Sequence, residues 1–131
     1  MSDSTQIGRD TAETIALFNE AFRQRDKEAL TELVHDDCLM VSAQPTPDGT
    51  NYVGKDASMA FWAELLDDTS ATFEVDHVFI DGDWAAVRWR YRFGPTDAES
   101  VLGVNITRVS EGRVIEQLGY TKTPGVLPLP E

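Results

Sequence analysis

The sequence has very little cysteine and histidine, and it lacks the glycine patterns that hold nucleotides. A single cysteine, Cys38, excludes a disulfide within the chain, and two histidines do not form a structural zinc set. Neither the dinucleotide-binding glycine pattern nor the P-loop pattern occurs. We therefore expect no metal site and no cofactor. The lone thiol fits a reducing compartment such as the cytoplasm.

Basic residues and long apolar runs are also scarce. The chain has 11 Lys plus Arg against 23 Asp plus Glu, a net charge of −12. This charge opposes binding to phosphate backbones and anionic lipid, which needs clustered Lys and Arg. No apolar run approaches the roughly 18 residues of a membrane span, and the first residues do not resemble a signal peptide. We expect a cytoplasmic protein that binds neither nucleic acid nor membrane.

Hydrophobic periodicity divides the chain into helices and strands. Apolar residues at steps of three or four predict helices at about residues 10–24, from Asp26 to the acidic pair 36–37, and at 56–67. The first begins with Asp10 at capping-box distance from Glu13. In this reading His35 closes the second helix, where it interacts with the helix dipole. Residues 44–51 carry prolines and a glycine and are predicted to form a loop.

Strands are predicted by alternation of apolar and polar residues. They lie at 38–43, from 73 to 79, from 85 to 93, near 99–109 and at 113–121. The result is an α+β fold, in which a curved, mixed but mainly antiparallel sheet and three N-terminal or inserted helices form a cone-shaped pocket. We expect one domain over residues 1–131, with a core at about 10–122 between a polar N-terminal tail and a proline-rich C-terminal tail.

Several short stretches carry a family resemblance in their order and spacing. They are residues 18–22, 25–26, 33–38, 53–55, 87–91, 103–105 and 111–114, with Tyr120. Together they resemble the nuclear transport factor 2-like superfamily, in the branch of SnoaL-like polyketide cyclases and ketosteroid isomerase. The resemblance implies the cystatin-like fold of that superfamily, a pocket and a homodimer, but not one reaction, because this fold carries many functions.

The family's functional residues transfer one at a time. The position of the isomerase base holds Ser42, that of its oxyanion-hole tyrosine holds Phe18, and that of its protonated aspartic acid holds Asn105. The position of the cyclase aspartate holds Gly119. Both family carboxylates are therefore missing, so the resemblance implies the pocket while arguing against either named reaction.

Three residues are candidates for chemistry. Asn105 interrupts an apolar strand, and its amide can donate a hydrogen bond to a carbonyl or enolate. His77 shares the apolar side of its predicted strand and is the only type of side chain here that titrates near neutrality unaided. Glu99 lies toward one end of the face that carries Asn105. The alternative is a purely structural role, since histidines packed in a core and asparagines hydrogen-bonded to water or backbone are common.

A further set of residues is predicted to line the pocket and contact a ligand. The aromatic members suit a flat apolar molecule, although aromatic residues at these periods are more often core. The predicted ligand-binding residues are Ser42, Tyr52, Trp62, Trp89, Tyr91 and Gln117. On the opposite face, Arg88, Arg90 and Arg92 are expected to pair with Glu74, Asp76 or Glu116 on neighbouring strands or in a partner subunit.

Three functions remain open from the sequence. The first is a cofactor-free isomerase, cyclase or lyase that acts on a small hydrophobic substrate, with Asn105 as donor and His77 or Glu99 as acid or base. The second is a non-catalytic protein that binds a small hydrophobic ligand. The third is a dimeric interaction module whose cone is filled by side chains.

Overall fold

A computed structural model describes residues 9–122 and residue 128. The elements in chain order are α1 (Thr11–Gln24), α2 (Lys27–Glu32), β1 (Val34–Val41), β2 (Asn51–Val53), α3 (Lys55–Asp67), β3 (Thr72–Asp81), β4 (Trp84–Arg92), a short 3-10 helix (Asp97–Glu99), β5 (Ser100–Ser110) and β6 (Arg113–Thr121). Residues 1–8 of the predicted N-terminal tail lie outside the described residues. So does the proline-rich tail, apart from residue 128. None of the described helices has the length and hydropathy of a membrane span.

The six strands form one sheet in the order β2-β1-β6-β5-β4-β3. Each neighbouring pair is antiparallel except β1 and β6, which run parallel. The predicted α+β class, with a mixed, mainly antiparallel sheet and three helices, is confirmed. Two groups of buried side chains hold the helices on one face of the sheet, one around Trp62 and the other around Ile15.

Helix α1 begins as its sequence predicts. The Asp10 carboxylate accepts a hydrogen bond from the backbone N–H of Glu13 at 2.8 Å, which satisfies one of the free donors of the first turn. Its inner side buries Ile15, Phe18 and Ala21. The helix ends at Arg25, which has the left-handed backbone conformation with φ of 56°.

The region after α1 differs from its prediction. Helix α2 ends at Glu32, and β1 begins at Val34, four residues earlier than the predicted strand. Val34 is fully buried and pairs with Val114 of β6, so pairing with the sheet outweighs the helical pattern. His35 is therefore a strand residue rather than a helix end. Its Nε2 lies 3.1 Å from Glu111 Oε1.

Strand β2 was also missed, because its three residues were assigned in part to a loop. They pair antiparallel with the end of β1, in register with Leu39 to Val41. Cys38, by contrast, is the small buried side chain that the sequence predicts, with no exposed surface. Burial raises the pKa of its thiol to about 11, so it remains protonated and unreactive near neutral pH.

Arg25 ties the end of α1 to the loop after α3. Its guanidinium donates to the carbonyl oxygens of Leu66, Asp68 and Ala71 at 2.8, 3.1 and 2.6 Å. We predict that Arg25→Met lowers the free energy of unfolding by about 1–3 kcal/mol, because charged hydrogen bonds to the backbone are lost. Urea denaturation measures this. Arg23→Met is the control: it removes only an exposed ion pair with Glu20 and should cost less than about 0.5 kcal/mol.

Candidate functional site

A large cavity lies between the helices and the inner face of the sheet. Its volume is about 1540 Å³ including the open mouth. Its wall is formed by residues of α1, α3 and all six strands, with Tyr52 as the contribution of β2. A concave, mainly apolar pocket with a few polar groups in its wall is the usual form of a small-molecule site. The predicted pocket therefore exists as an open space among the described residues.

One wall of the cavity is aromatic. Neighbouring ring centroids lie 4.7 to 6.2 Å apart in tilted or edge-to-face pairs, which are the favoured geometries for such rings. The rings of this wall belong to Phe18, Phe22, Trp62, Phe73, Trp89 and Tyr91. Sequence reasoning placed the two tryptophans and Tyr91 at the pocket, and the family resemblance placed Phe18 there, but Phe22 and Phe73 were not assigned to it although they lie on the same faces.

The second aromatic contribution comes from the other side of the cavity. Tyr52 of β2 is half-buried and packs against Phe61 of α3, with ring centroids 4.9 Å apart. Both residues line the cavity. Tyr52 is thus at the predicted place, beside the loop that follows β1.

The strands β5 and β6 supply neutral polar side chains. Asn105 pairs with Gly119, and Thr107 pairs with Gln117, and all four face the cavity. The hydroxyl of Thr107 donates to the carbonyl oxygen of the Gln117 side chain at 3.1 Å. Both residues of this pair are buried, whereas Asn105 is half-buried. Asn105 and Gln117 therefore reach the cavity as predicted.

Ser42 lines the cavity, but its hydroxyl is engaged locally. It donates to the carbonyl oxygen of Gln44 at 2.6 Å and accepts from the backbone N–H of Thr50 at 3.3 Å. These bonds close the loop between β1 and β2. The local structure explains the serine at this position, and its contact with a ligand remains a prediction.

His77 is not part of the cavity, and its predicted pocket position is wrong. The pairing of β3 with β4 shifts between Val75 and His77, because Asp76 is an extra residue in the strand. Val75 lies opposite Trp89 on the inner face, while His77 lies opposite Arg88 on the outer face. The imidazole is exposed and stacks on Phe79 with centroids 4.4 Å apart.

Glu99 is likewise outside the cavity wall, which corrects its predicted position. It belongs to the 3-10 helix, where its carboxylate accepts from the Thr96 hydroxyl at 2.9 Å and from the Thr96 backbone N–H at 3.4 Å. The contact with the Thr96 backbone N–H is one half of a capping box, and in the other half the Thr96 side chain accepts from the Glu99 backbone N–H. Its neighbours Ala98 and Ser100 line the mouth instead.

Charge is confined to the solvent-facing edge of the cavity. Its charged lining residues are exposed or half-buried, namely Glu20, Arg23, Glu74, Arg90 and Lys122. Hydrogen bonds from Arg23 and Gln24 lower the pKa of Glu20 to about 2. Burial raises the pKa of Tyr91. Both shifts lead away from neutrality, so neither group is tuned to exchange a proton at physiological pH.

Two glycines shape the inner face of the sheet. A Cβ at Gly103 would overlap the Trp89 ring and lie 2.7 Å from the Tyr120 carbonyl oxygen. The indole N–H of Trp89 is buried and has no hydrogen-bond partner among the described residues. The ring is therefore held by packing, in part against the backbone of Gly103. At Gly119 a Cβ would meet its nearest neighbours at 3.3–3.4 Å, one of which is Asn105 Oδ1.

Comparison with known proteins places the chain in a family. A model of the SnoaL-like domain matches residues 15–117, and no curated protein matches the chain. Among solved structures, a nuclear transport factor 2-like protein of unknown function from Mesorhizobium loti is 35% identical. That match covers 94% of this chain and 98% of the other, with a TM-score of 0.80.

Two more distant structures share the fold. A protein from Sinorhizobium meliloti, provisionally described as a polyketide cyclase, is 21% identical over 81% of this chain and 92% of its own, with a TM-score of 0.67. A protein from Kribbella flavida, provisionally described as a ketosteroid isomerase, is 19% identical over 92% of this chain and 83% of its own, with a TM-score of 0.74.

The two glycines generate a prediction on the cavity wall. Gly103→Ala should lower the free energy of unfolding by about 1–3 kcal/mol, because the new methyl group displaces the Trp89 ring in a packed site. Near-ultraviolet circular dichroism should change at the same time. Gly119→Ala is the matched control and should cost less than about 1 kcal/mol, since its neighbours need to move only slightly. Equal losses for the two variants would contradict this account.

Proposed function

The chain belongs to the SnoaL-like domain family, and on this basis we propose that it binds a small, uncharged and largely apolar organic molecule inside the cavity. The observation that carries the proposal is the composition of the wall. Aromatic rings cover one side, neutral amides and a hydroxyl project from β5 and β6, and the charged lining residues stay at the solvent edge. A charged ligand would lose its hydration there without gaining a partner.

An isomerase, cyclase or lyase is the second candidate. It is favoured by the two amides, which lie where donors could bind a carbonyl oxygen, and by the provisional descriptions of the two distant structures. Proton transfer at carbon also needs an acid or base. The two groups expected to supply it, His77 and Glu99, lie outside the cavity wall. We therefore rank binding first and expect any reaction to depend on orientation and hydrogen bonding within the cavity.

Binding can be measured with a neutral fluorescent probe, N-phenyl-1-naphthylamine, whose emission rises in apolar surroundings. We predict saturable binding of one probe per chain. Gly119→Leu should weaken it at least about tenfold, because the added side chain occupies the inner face beside Asn105. Phe79→Ser is the control, since it removes an exposed ring from the outer face and should leave the affinity unchanged. Binding that is insensitive to Gly119→Leu, or no binding, would overturn the proposal. If the probe binds as predicted, native mass spectrometry of protein purified without additives should identify the class of the natural ligand.

We also propose that the protein forms a homodimer through the outer face of the sheet and that it acts in the cytoplasm. An apolar patch runs across this face where Val104 pairs with Tyr120 and Ile106 pairs with Leu118. Tyr120 is 55% exposed. We call these four residues the outer patch. A second copy of the chain is the partner that a self-complementary apolar face fits best, through a two-fold interface.

The charges around the outer patch favour a second copy despite the net charge of −12. Arg88 pairs with Asp76 at 2.6 Å, and Arg92 pairs with Glu74 at 2.9 Å, as predicted. The local surface is therefore nearly neutral, so two such faces do not repel each other strongly. Glu116, the third expected partner, pairs with Arg108 instead.

The dimer is tested by the mass of the protein in solution. Light scattering after gel filtration should give twice the chain mass of 14.6 kDa. Ile106→Asp should shift this to the mass of one chain, because it places a charge at the centre of the outer patch. Leu17→Asp is the control, since this exposed leucine lies on α1, away from the patch, and should leave the mass unchanged. A single-chain mass for the unaltered protein would overturn the proposal.

A further inference from the structure

Resting on the proposed function, we propose that the ligand carries a hydrogen-bond donor and an acceptor side by side, as a lactam does, and that Asn105 and Gln117 bind this pair above Gly119. Some polar atoms of the cavity wall are already paired with protein atoms, and the others remain available to select a ligand.

Gln117 presents an unpaired donor to the cavity, while its oxygen is already hydrogen-bonded. Its side-chain oxygen accepts the hydrogen bond from the Thr107 hydroxyl at 3.1 Å, which fixes the orientation of the amide. The Nε2 group has no protein partner within residues 9–122, although the residue is only 6% exposed. Among the described residues only Trp89 Nε1 is a fully buried side-chain nitrogen or oxygen atom without a partner, so Gln117 Nε2 retains surface in the cavity, where a ligand acceptor can reach it.

Asn105 presents both a donor and an acceptor. Neither atom of its amide is hydrogen-bonded to another described residue, and the side chain is half-buried within the cavity wall. The residue opposite it on β6 is Gly119, so no side chain fills the space beside the amide. Asn105 Oδ1 lies 3.4 Å from the position that a Cβ of residue 119 would take, so the amide extends over the bare backbone of Gly119 in the cavity wall.

The two amides are close enough to act on one group. Asn105 pairs with Gly119 and Thr107 pairs with Gln117, so the two amides are diagonal neighbours on the same face. Diagonal neighbours of an antiparallel pair lie about 7–8 Å apart at their backbones, within reach of long side chains. A lactam N–H can donate to Asn105 Oδ1 while its carbonyl oxygen accepts from Asn105 Nδ2 and Gln117 Nε2. This satisfies all three available groups at once.

The surroundings favour a neutral group over a carboxylate. The residues nearest this subsite on the inner face are uncharged, namely Met40, Val87, Gly103, Thr107 and Thr121. A carboxylate would be desolvated without a cation and would leave Asn105 Oδ1 facing another acceptor. A simple ketone would satisfy the donors but not that oxygen. Only a group with adjacent donor and acceptor satisfies both.

Three soluble ring compounds separate these possibilities in isothermal titration calorimetry. 2-Quinolone has the donor and the acceptor, N-methyl-2-quinolone has the acceptor alone, and quinoline has the ring without the carbonyl. We expect 2-quinolone to bind at least about fivefold more tightly than its N-methyl derivative, since the derivative leaves Asn105 Oδ1 unpaired. In Asn105→Leu this difference should fall to less than about twofold. Asn51→Leu, at an exposed asparagine of β2, is the control and should retain it.

Thr107→Val tests how Gln117 is positioned. It removes the hydrogen bond that orients the Gln117 amide, so both quinolones should bind about threefold more weakly while the ratio between them is kept. A purely structural effect would also lower the affinity for quinoline, which this proposal does not expect. Urea denaturation confirms that each variant is folded.

The outcomes distinguish this inference from the proposed function. Equal affinities of the two quinolones for the unaltered protein, with quinoline and the fluorescent probe still bound, would overturn the lactam-type subsite and leave the binding function standing. A difference that persists in Asn105→Leu would also overturn it. Failure of all four compounds to bind would overturn both proposals.

Discussion

The cavity depends on the hydrogen-bond register of the four long antiparallel strands β3 to β6. Because side chains alternate between the faces of a sheet, a shift of one residue moves a side chain from the cavity to the outer surface. The register of β4, β5 and β6 is regular through Trp89, Asn105 and Gln117, so all three face inward. The one irregularity of β3, after Val75, sends His77 outward.

Strand register also explains which parts of the fold could be predicted from the sequence. Helix α1 was predictable because its cap and its apolar stripe are local features, and β4 to β6 were predictable because their alternation is long. The bulge at Asp76 was not, since Val78, Phe79 and Ile80 are all apolar and conceal the change of phase that one extra residue introduces into the alternation. Strand β2 and the early start of β1 depend on pairing with distant strands, which no local pattern records.

The candidate site likewise combines residues that the local sequence identifies with hydrogen bonds that only the folded structure reveals. Asn105 was identifiable because an amide inside an apolar strand is unusual. The Ser42 hydroxyl is hydrogen-bonded within a loop, and the Glu99 carboxylate is hydrogen-bonded within a 3-10 helix. The sequence around each residue does not show that these groups already have partners. The bond between Thr107 and Gln117 is also a contact across strands. It decides which atoms of the Gln117 amide remain for a ligand.

Glycine and charge together determine what the cavity can hold. At Gly103 the place of a side chain is taken by the Trp89 ring, whereas at Gly119 a Cβ would lie 3.3–3.4 Å from the backbone of Val41 and Ala43 and from Asn105 Oδ1. An acidic chain with a net charge of −12 could have placed a carboxylate on this part of the wall, but here the inner polar side chains of β5 and β6 are amides and hydroxyls. Amides do not titrate near neutrality, so recognition at this point rests on matching donors with acceptors rather than on charge. A ligand of this proposed class would be selected by pairing, because a polar atom that loses its water on binding and gains no partner carries a desolvation cost.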